Sequence, residues 1–267
     1  MRKFWKRLIL IAVLVVILIA AAHVISALTL DRRIQYKEAT YTSAKIPKAL
    51  DGYVIAFLVD THDLKALEMQ VVVDRINARG VDLLLLGGDY RSFNAGPTLA
   101  VLAGTKAKDG IYGVMGNHDL YQDIADNMYK HDMTFLYNRG LELKPGFFLA
   151  GVSDLTTHKP RVDKALQGSG KNDFILLLSH NPVLALEHDV KGVDLMLSGH
   201  THGGLMNIFG LWSPALALRY PAGNKLRSGW YRVGATDILV SNGAGYTEKI
   251  PRVFARPQVI FLTLKAQ

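Results

Sequence analysis

The chain has 267 residues, 49% of them hydrophobic and 20% charged, and no cysteine. That composition excludes a disordered, collagen-like or disulfide-stapled chain, and the missing thiols exclude zinc fingers, iron–sulfur centres and thiol catalysis. The formal net charge is +8, but residues 1–33 hold six basic residues against one acidic and supply +5 of it, leaving +3 for the other 234 residues. The charge therefore reads as a membrane-surface signal near the N-terminus rather than a nucleic-acid-binding face, and no nucleic-acid partner is expected.

In chain order, the first element is a 23-residue apolar run from Leu8 to Leu30 whose one titratable residue is His23. At ~1.5 Å per residue a helix of this length crosses the ~30 Å hydrocarbon core of a bilayer. It lacks the polar stripe of a buried soluble helix. A retained transmembrane anchor within residues 1–30 is the expectation. The competing reading is a cleaved signal peptide, with Val24 and Ser26 as small residues before the cut, against which stands the length of the run. His23, near the far end, reads as a neutral interfacial imidazole. Arg2, Lys3, Lys6 and Arg7 crowd the short tail, which favours a single-pass inner (cytoplasmic) membrane protein with its N-terminus in the cytoplasm and its domain outside. The bilayer is thus an expected partner, and nothing in the sequence points to a protein partner.

Residues 31–52 read as a connector plus an edge strand, and 53–267 as one α/β domain. The short apolar runs Val54–Val59, Val81–Leu86, Ile111–Met115, Phe174–Leu178 and Val193–Leu197 predict buried strands. Leu64, Leu67, Val71 and Ile76 recur at helical spacing, with Gly80 as a stop signal. Pro97–Thr105, Leu120–Lys130 and Pro182–Glu187 are further predicted helices. This alternation predicts a largely parallel α/β architecture. Trp230–Val233, Asp237–Ser241 and Val259–Leu264 read as antiparallel strands adding a second sheet.

Each of the five predicted strands runs into polar residues: Asp60 and His62; Gly88 and Asp89; Gly116, Asn117, His118 and Asp119; His180; and Gly199, His200 and His202. In open α/β sheets the ligand crevice lies beyond the carboxyl ends of the strands. An aspartate after a strand is ordinarily a turn or cap residue, and a lone histidine is ordinarily structural. Five such blocks at five strand ends instead make a set of oxygen and imidazole donors without sulfur, suited to Mn²⁺, Fe or Zn²⁺.

These blocks resemble the signature of the calcineurin-like metallophosphoesterase family, from about Tyr53 to Leu264. The tail, with Ser241-Asn-Gly-Ala-Gly245 and Pro251-Arg252, resembles its membrane-associated branch, typified by a YaeI-type phosphodiesterase and including relatives of UDP-2,3-diacylglucosamine pyrophosphatase. The resemblance implies a four-layer αββα sandwich of two mixed β-sheets flanked by helices over 53–267, preceded here by one N-terminal transmembrane helix. It also implies two divalent metal ions, Mn²⁺ foremost. Asp60, His62, Asp89 and His202 would hold one, and Asp89, Asn117, His180 and His200 the other, with Asp89 bridging. His118 would be the catalytic histidine outside the ligand set, and Asp119 either orients it or caps the following helix. Two cations can clamp the attacking and leaving oxygens of an in-line displacement at phosphorus.

The sequence departs from the family pattern at Val59, Asp63, Val183, Leu205 and Gln258, none of them a ligand position. These departures bear on substrate choice rather than on metal binding. The apolar stretch from Met206 to Leu216 follows the last ligand block and points to an acylated or membrane-resident phosphodiester or pyrophosphate. The alternative is that Phe209, Leu211 and Trp212 pack into the core. Arg219, Arg227 and Arg252 are candidate phosphate contacts, and Asp154 a weaker candidate for substrate or ligand support. Two other classes stay open: a phosphodiesterase, nuclease or nucleotidase for soluble substrates, and a non-catalytic binding module on the same scaffold.

Overall fold

The computed structural model describes residues 2–62, 64–91, 94–209, 211–246 and 252–267. After α1 (Arg2–Leu28) the chain runs through β1 (Gln35–Ser43), β2 (Val54–Leu58), α2 (Ala66–Arg79), β3 (Leu83–Leu86), α3 (Gly96–Leu102), β4 (Ile111–Gly113), α4 (Tyr121–Lys130) and β5 (Thr134–Phe135). It continues with β6 (Arg139–Lys144), β7 (Phe147–Gly151), α5 (Val162–Ala165), β8 (Phe174–Leu178), α6 (Leu184–Glu187) and β9 (Leu195–Ser198). It ends with α7 (Pro214–Arg219), α8 (Pro221–Lys225), β10 (Gly229–Val233), β11 (Thr236–Val240) and β12 (Gln258–Ala266).

These strands form two six-stranded mixed sheets, ordered β1-β12-β2-β3-β4-β5 and β10-β11-β9-β8-β7-β6. Strand side chains alternate between faces, and here both faces are buried. On β2, Ala56 and Leu58 point outward into a core shared with α2, α3 and α4, while Ile55 and Phe57 point inward to the facing sheet. Likewise Leu176 and Leu178 of β8 face inward, and Ile175 and Leu177 face outward toward α5 and α6. The result is helix, sheet, sheet, helix, as the family resemblance implied.

Three expectations need correction in detail. First, the buried face of α2 is Met69, Val72, Val73 and Ile76, whereas Leu67 and Val71 are 81% and 53% exposed. The true stripe keeps i, i+3, i+4, i+7 spacing and shares Ile76 with the predicted one, while Met69, Val72 and Val73 replace Leu67 and Val71. Second, β12 does not join the C-terminal hairpin. It lies in the first sheet, antiparallel to β2 and parallel to β1, so only β10 and β11 extend the second sheet. Turn signals mark where a strand ends but not which sheet edge receives it. Third, β6 and β7 were not predicted. They pair antiparallel with an irregularity between Glu142 and Lys144, and β6 is a polar edge strand with no buried residue.

Among the described residues α1 is the one helix long and apolar enough to cross a membrane, and Ser26 is its one buried residue.

Candidate metal centre

β2, β3 and β4 of one sheet, and β8 and β9 of the other, deliver their carboxyl ends to one place. The backbone there is strained. Ten described non-glycine residues have positive φ, and five of them are Asp60 (52°), His62 (36°), Asp89 (54°), His200 (68°) and His202 (49°). Such conformations cost ~1–3 kcal/mol each and cluster at functional sites. Close approach adds to this. A Cβ at Gly116 would sit 2.2 Å from Asp89 Oδ1, and one at Gly243 would sit 2.5 Å from Asp60 Cβ. The Ser241–Gly245 segment thus lies against Asp60, with Ala244 and Gly245 amides donating to the carbonyls of Val59 and Asp60.

All seven ligand candidates lie in one cluster. The Oδ2 atom of Asp89 is 3.5 Å from His62 Nε2 and 3.4 Å from His180 Nε2, midway in the group. His62 Nε2 is 3.1 Å from His202 Nε2. His180 Nε2 is 3.1 Å from Asn117 Oδ1 and 3.3 Å from His200 Nδ1. The His200 amide donates to Asp60 Oδ2 at 2.9 Å, and the His118 amide to Asp89 Oδ1 at 2.9 Å. His180 Nδ1 lies 2.9 Å from the Gly87 carbonyl, which fixes that nitrogen as the protonated one and turns Nε2 to the cluster.

A cation fits this donor set. Asp60 Oδ1 is buried without a hydrogen-bond partner, 3.8–3.9 Å from the Nε2 atoms of His62, His180 and His202. A buried carboxylate oxygen left unpaired is costly unless a positive charge completes it. The donor atoms of Asp60, His62 and His202, and those of Asp60, Asp89 and His180, fall within 4.8 Å of one another, two triads sharing a carboxylate.

Electrostatics agree. Burial pulls His202 well below the ordinary histidine value, and the Arg252 guanidinium 3.2 Å from Nδ1 adds to that; burial and His180 lower His200 to about 4. Both rings are therefore neutral, as metal ligands must be. Burial also lowers His180, but Asp89 and Asp60 outweigh it and hold the ring above its ordinary value. Burial raises the Asp89 carboxyl, yet His180, His62 and the His118 amide together hold it below the usual range.

A family model described as calcineurin-like phosphoesterase matches residues 53–204. The chain belongs to the calcineurin-like phosphoesterase family. Metallophosphoesterase YkuE of Bacillus subtilis (strain 168) is 31% identical over 252 residues, covering 87% of this chain and 86% of that one. A Helicobacter pylori (strain J99) metallophosphoesterase is 33% identical over 248 residues, covering 87% of this chain and 64% of that one. A transmembrane protein with metallophosphoesterase domain from Danio rerio is 28% identical over 247 residues, covering 83% and 55%. The chain thus spans well under the whole length of the last two. Membership makes this phosphoesterase a metal-dependent hydrolase of phosphoesters.

The remaining sequence candidates separate in this phosphoesterase. His118 is exposed at the mouth, its ring edge-on to His62 at 5.5 Å between centroids. Asp119 neither caps α4 nor bonds the His118 side chain; its carboxylate accepts the amides of Asp89, Tyr90 and Gly116 at 2.7–3.1 Å. Arg252 is no phosphate contact: it is 3% exposed and donates to the carbonyls of Asn242, Gly245 and Ala255 beside His202. Arg227 donates to the Leu211 carbonyl. Asp154 is buried, and its Oδ1 accepts from Thr156 and Thr157. Asp63, Pro251 and the Arg219 side chain lie outside the described residues. The core-packing reading of the Met206–Leu216 stretch fails for Leu211, which is 81% exposed. Val59 fills the floor of the site against Gly87 and Gly199, where a Cβ would meet its side chain at 2.6 and 2.4 Å.

Sequence reasoning missed Tyr220 and Asn181. Tyr220 donates to Asn181 Oδ1 at 2.9 Å and sets its ring edge-on to His200 at 5.4 Å. Asn181 adjoins His180 in the sequence but stands outside the candidate set, and Tyr220 belongs to no motif, so only the fold pairs the two.

Proposed function

We propose that this phosphoesterase hydrolyses a phosphodiester or pyrophosphate bond in a lipid-linked or nucleotide-activated substrate, with two divalent cations, Mn²⁺ foremost. Asp60, His62, Asp89 and His202 hold one cation, and Asp89, Asn117, His180 and His200 the other. The observation that carries this reading is the position of Asp89 Oδ2 between His62 and His180, beside the unpaired Oδ1 of Asp60. When bound, the cations activate water and draw charge from the phosphoryl oxygens.

The residues of the chain supply the rest. Asn117 adds a ligand without adding negative charge, which favours an anionic phosphate. His118 stands clear of the buried ligands and gives a proton to the leaving oxygen. Asp119 holds the Asp89 and Gly116 loops in register through backbone amides and is a positioning residue. The catalytic domain is 53–267, with 1–30 as a retained single-pass anchor in the inner membrane, N-terminus cytoplasmic and domain outside.

The test is a hydrolysis panel on the full chain in detergent micelles, with Mn²⁺ present and then chelated, comparing bis-p-nitrophenyl phosphate, soluble nucleotides and a lipid-linked nucleotide. The expected result is Mn²⁺-dependent turnover that favours the lipid-linked substrate and falls by more than ~100-fold in Asp89→Ala. Turnover of soluble diesters with the lipid-linked nucleotide left intact rejects the substrate class. Undiminished turnover in Asp89→Ala rejects the site.

A further inference from the structure

Residues 205–218 carry no charged side chain. The stretch begins three residues after His202, and six of its large apolar side chains are exposed while Leu205 and Leu216 are half-buried. Leu211 is 81% and Leu218 85% exposed, and Met206, Ile208, Phe209 and Trp212 are each 45–47% exposed. An uncharged patch of this kind on a domain surface marks an interaction site.

The position of the patch selects its partner. Phe209 meets the His23 ring at 5.0 Å between centroids, and Phe254 meets the same ring at 4.9 Å. An apolar cleft between loop and helix is lined by His23, Val24, Ala27, Met206, Ile208 and Val253. The joint between α1 and the domain is also tied. Ser26 donates to Asp31 at 2.6 Å, and the Asp31 carboxylate accepts the amides of Phe254 and Ala255 at 2.9 and 3.2 Å. Arg256 donates to the Arg33 carbonyl at 3.0 Å. The loop is therefore held beside the last turns of α1, at the level of His23 to Ala27. His23 lies five residues before the end of the helix, which is ~7.5 Å along its axis at ~1.5 Å per residue. When α1 spans a bilayer, a loop at that level sits within the ~5–10 Å depth to which interfacial segments sink. Arg32 and Arg33, exposed just past the helix, stand where lipid phosphates lie.

We propose that the Met206–Leu218 segment, which runs into α7, is a second membrane contact, inserted into the outer part of the same leaflet from which α1 emerges. Its occupant is the boundary between lipid headgroups and acyl chains. A single helix with a tied joint still lets the whole molecule tilt against the bilayer. The inserted loop removes that freedom and turns the His200–His202 end of the centre toward the bilayer surface. This consequence rests on the hydrolase reading above, whereas the insertion itself does not.

The experiment uses the full chain in phosphatidylcholine–phosphatidylglycerol vesicles, with Trp5→Phe and Trp230→Phe leaving Trp212 as the sole tryptophan. Trp212 emission is expected to shift to the blue on reconstitution and to be quenched by lipids brominated near the headgroup. Leu211→Asp with Leu218→Asp should abolish that quenching while soluble-diester hydrolysis stays within twofold. Trp212 quenched by aqueous iodide as strongly in vesicles as in free solution overturns the proposal. So does a blue shift that depends on protein concentration and ignores lipid bromination, which identifies a second copy as the occupant. The quenching readout needs no turnover, so failure of the insertion and failure of the hydrolase reading are told apart.

Discussion

At the scale of single residues, the centre is defined by which imidazoles carry protons. His200 and His202 are held neutral by burial and positive neighbours, while Asp89 and Asp60 hold His180 above its ordinary value. A metal must meet His180 as the neutral ring, so below its raised pKa each binding event expels a proton. Metal affinity is therefore expected to weaken as pH falls below that value, by up to ~tenfold per pH unit for the one proton. Calorimetric Mn²⁺ titrations in buffers of differing ionisation enthalpy check this through the proton released. An affinity flat between pH 6 and 8 with no proton release contradicts it. The sign is opposite for the metal-free fold. The His180–carboxylate attraction stabilises that fold at low pH and is lost as pH rises through the raised value.

At the scale of elements, the strands place their donors only because the loops beyond them pass within van der Waals contact. The Gly116 turn after β4 lies against the Asp89 carboxylate after β3, and Asp119 bonds both loops. In Gly116→Ala the new methyl must displace Asp89 Oδ1, which the His118 amide holds. The expected outcome is a ~10–100-fold loss of metal affinity, the size of effect seen when ligand support is disturbed. The thermal midpoint of the metal-free chain should fall as well, because the methyl also meets the buried Asp89 backbone nitrogen at 2.7 Å. Metal titration with thermal unfolding of the apo-protein measures both. A large fall in midpoint with unchanged affinity contradicts the account.

At the scale of the whole molecule, two sheets share one inner core, and the centre straddles their common edge. Leu176 of β8 is fully buried between the sheets. Leu176→Ala should cost ~2–5 kcal/mol by leaving a cavity, measured by denaturant unfolding. It should also weaken metal binding if the sheets must stay in register for donors from both to meet. Unfolding in two separate transitions, one per sheet, runs against a shared core. The amino-acid sequence by itself determined which donor-bearing residues stand at the strand ends. Asp60, His62, Asp89, Asn117, His180, His200 and His202 stand at strand ends because buried apolar runs stop where polar residues begin, and that boundary is a local property. The buried strand runs, the membrane-length helix and the donor types were legible for the same reason. The tertiary structure decided what depends on which distant segments meet: β12 entering the first sheet, Arg252 turned inward beside His202, Tyr220 set against His200, and Asp119 spent on backbone amides. It also decided that the loop after His202 faces outward beside α1. Spacing along a chain fixes the face a residue occupies within its own element, whereas the neighbour across the gap is set by packing that no single segment encodes.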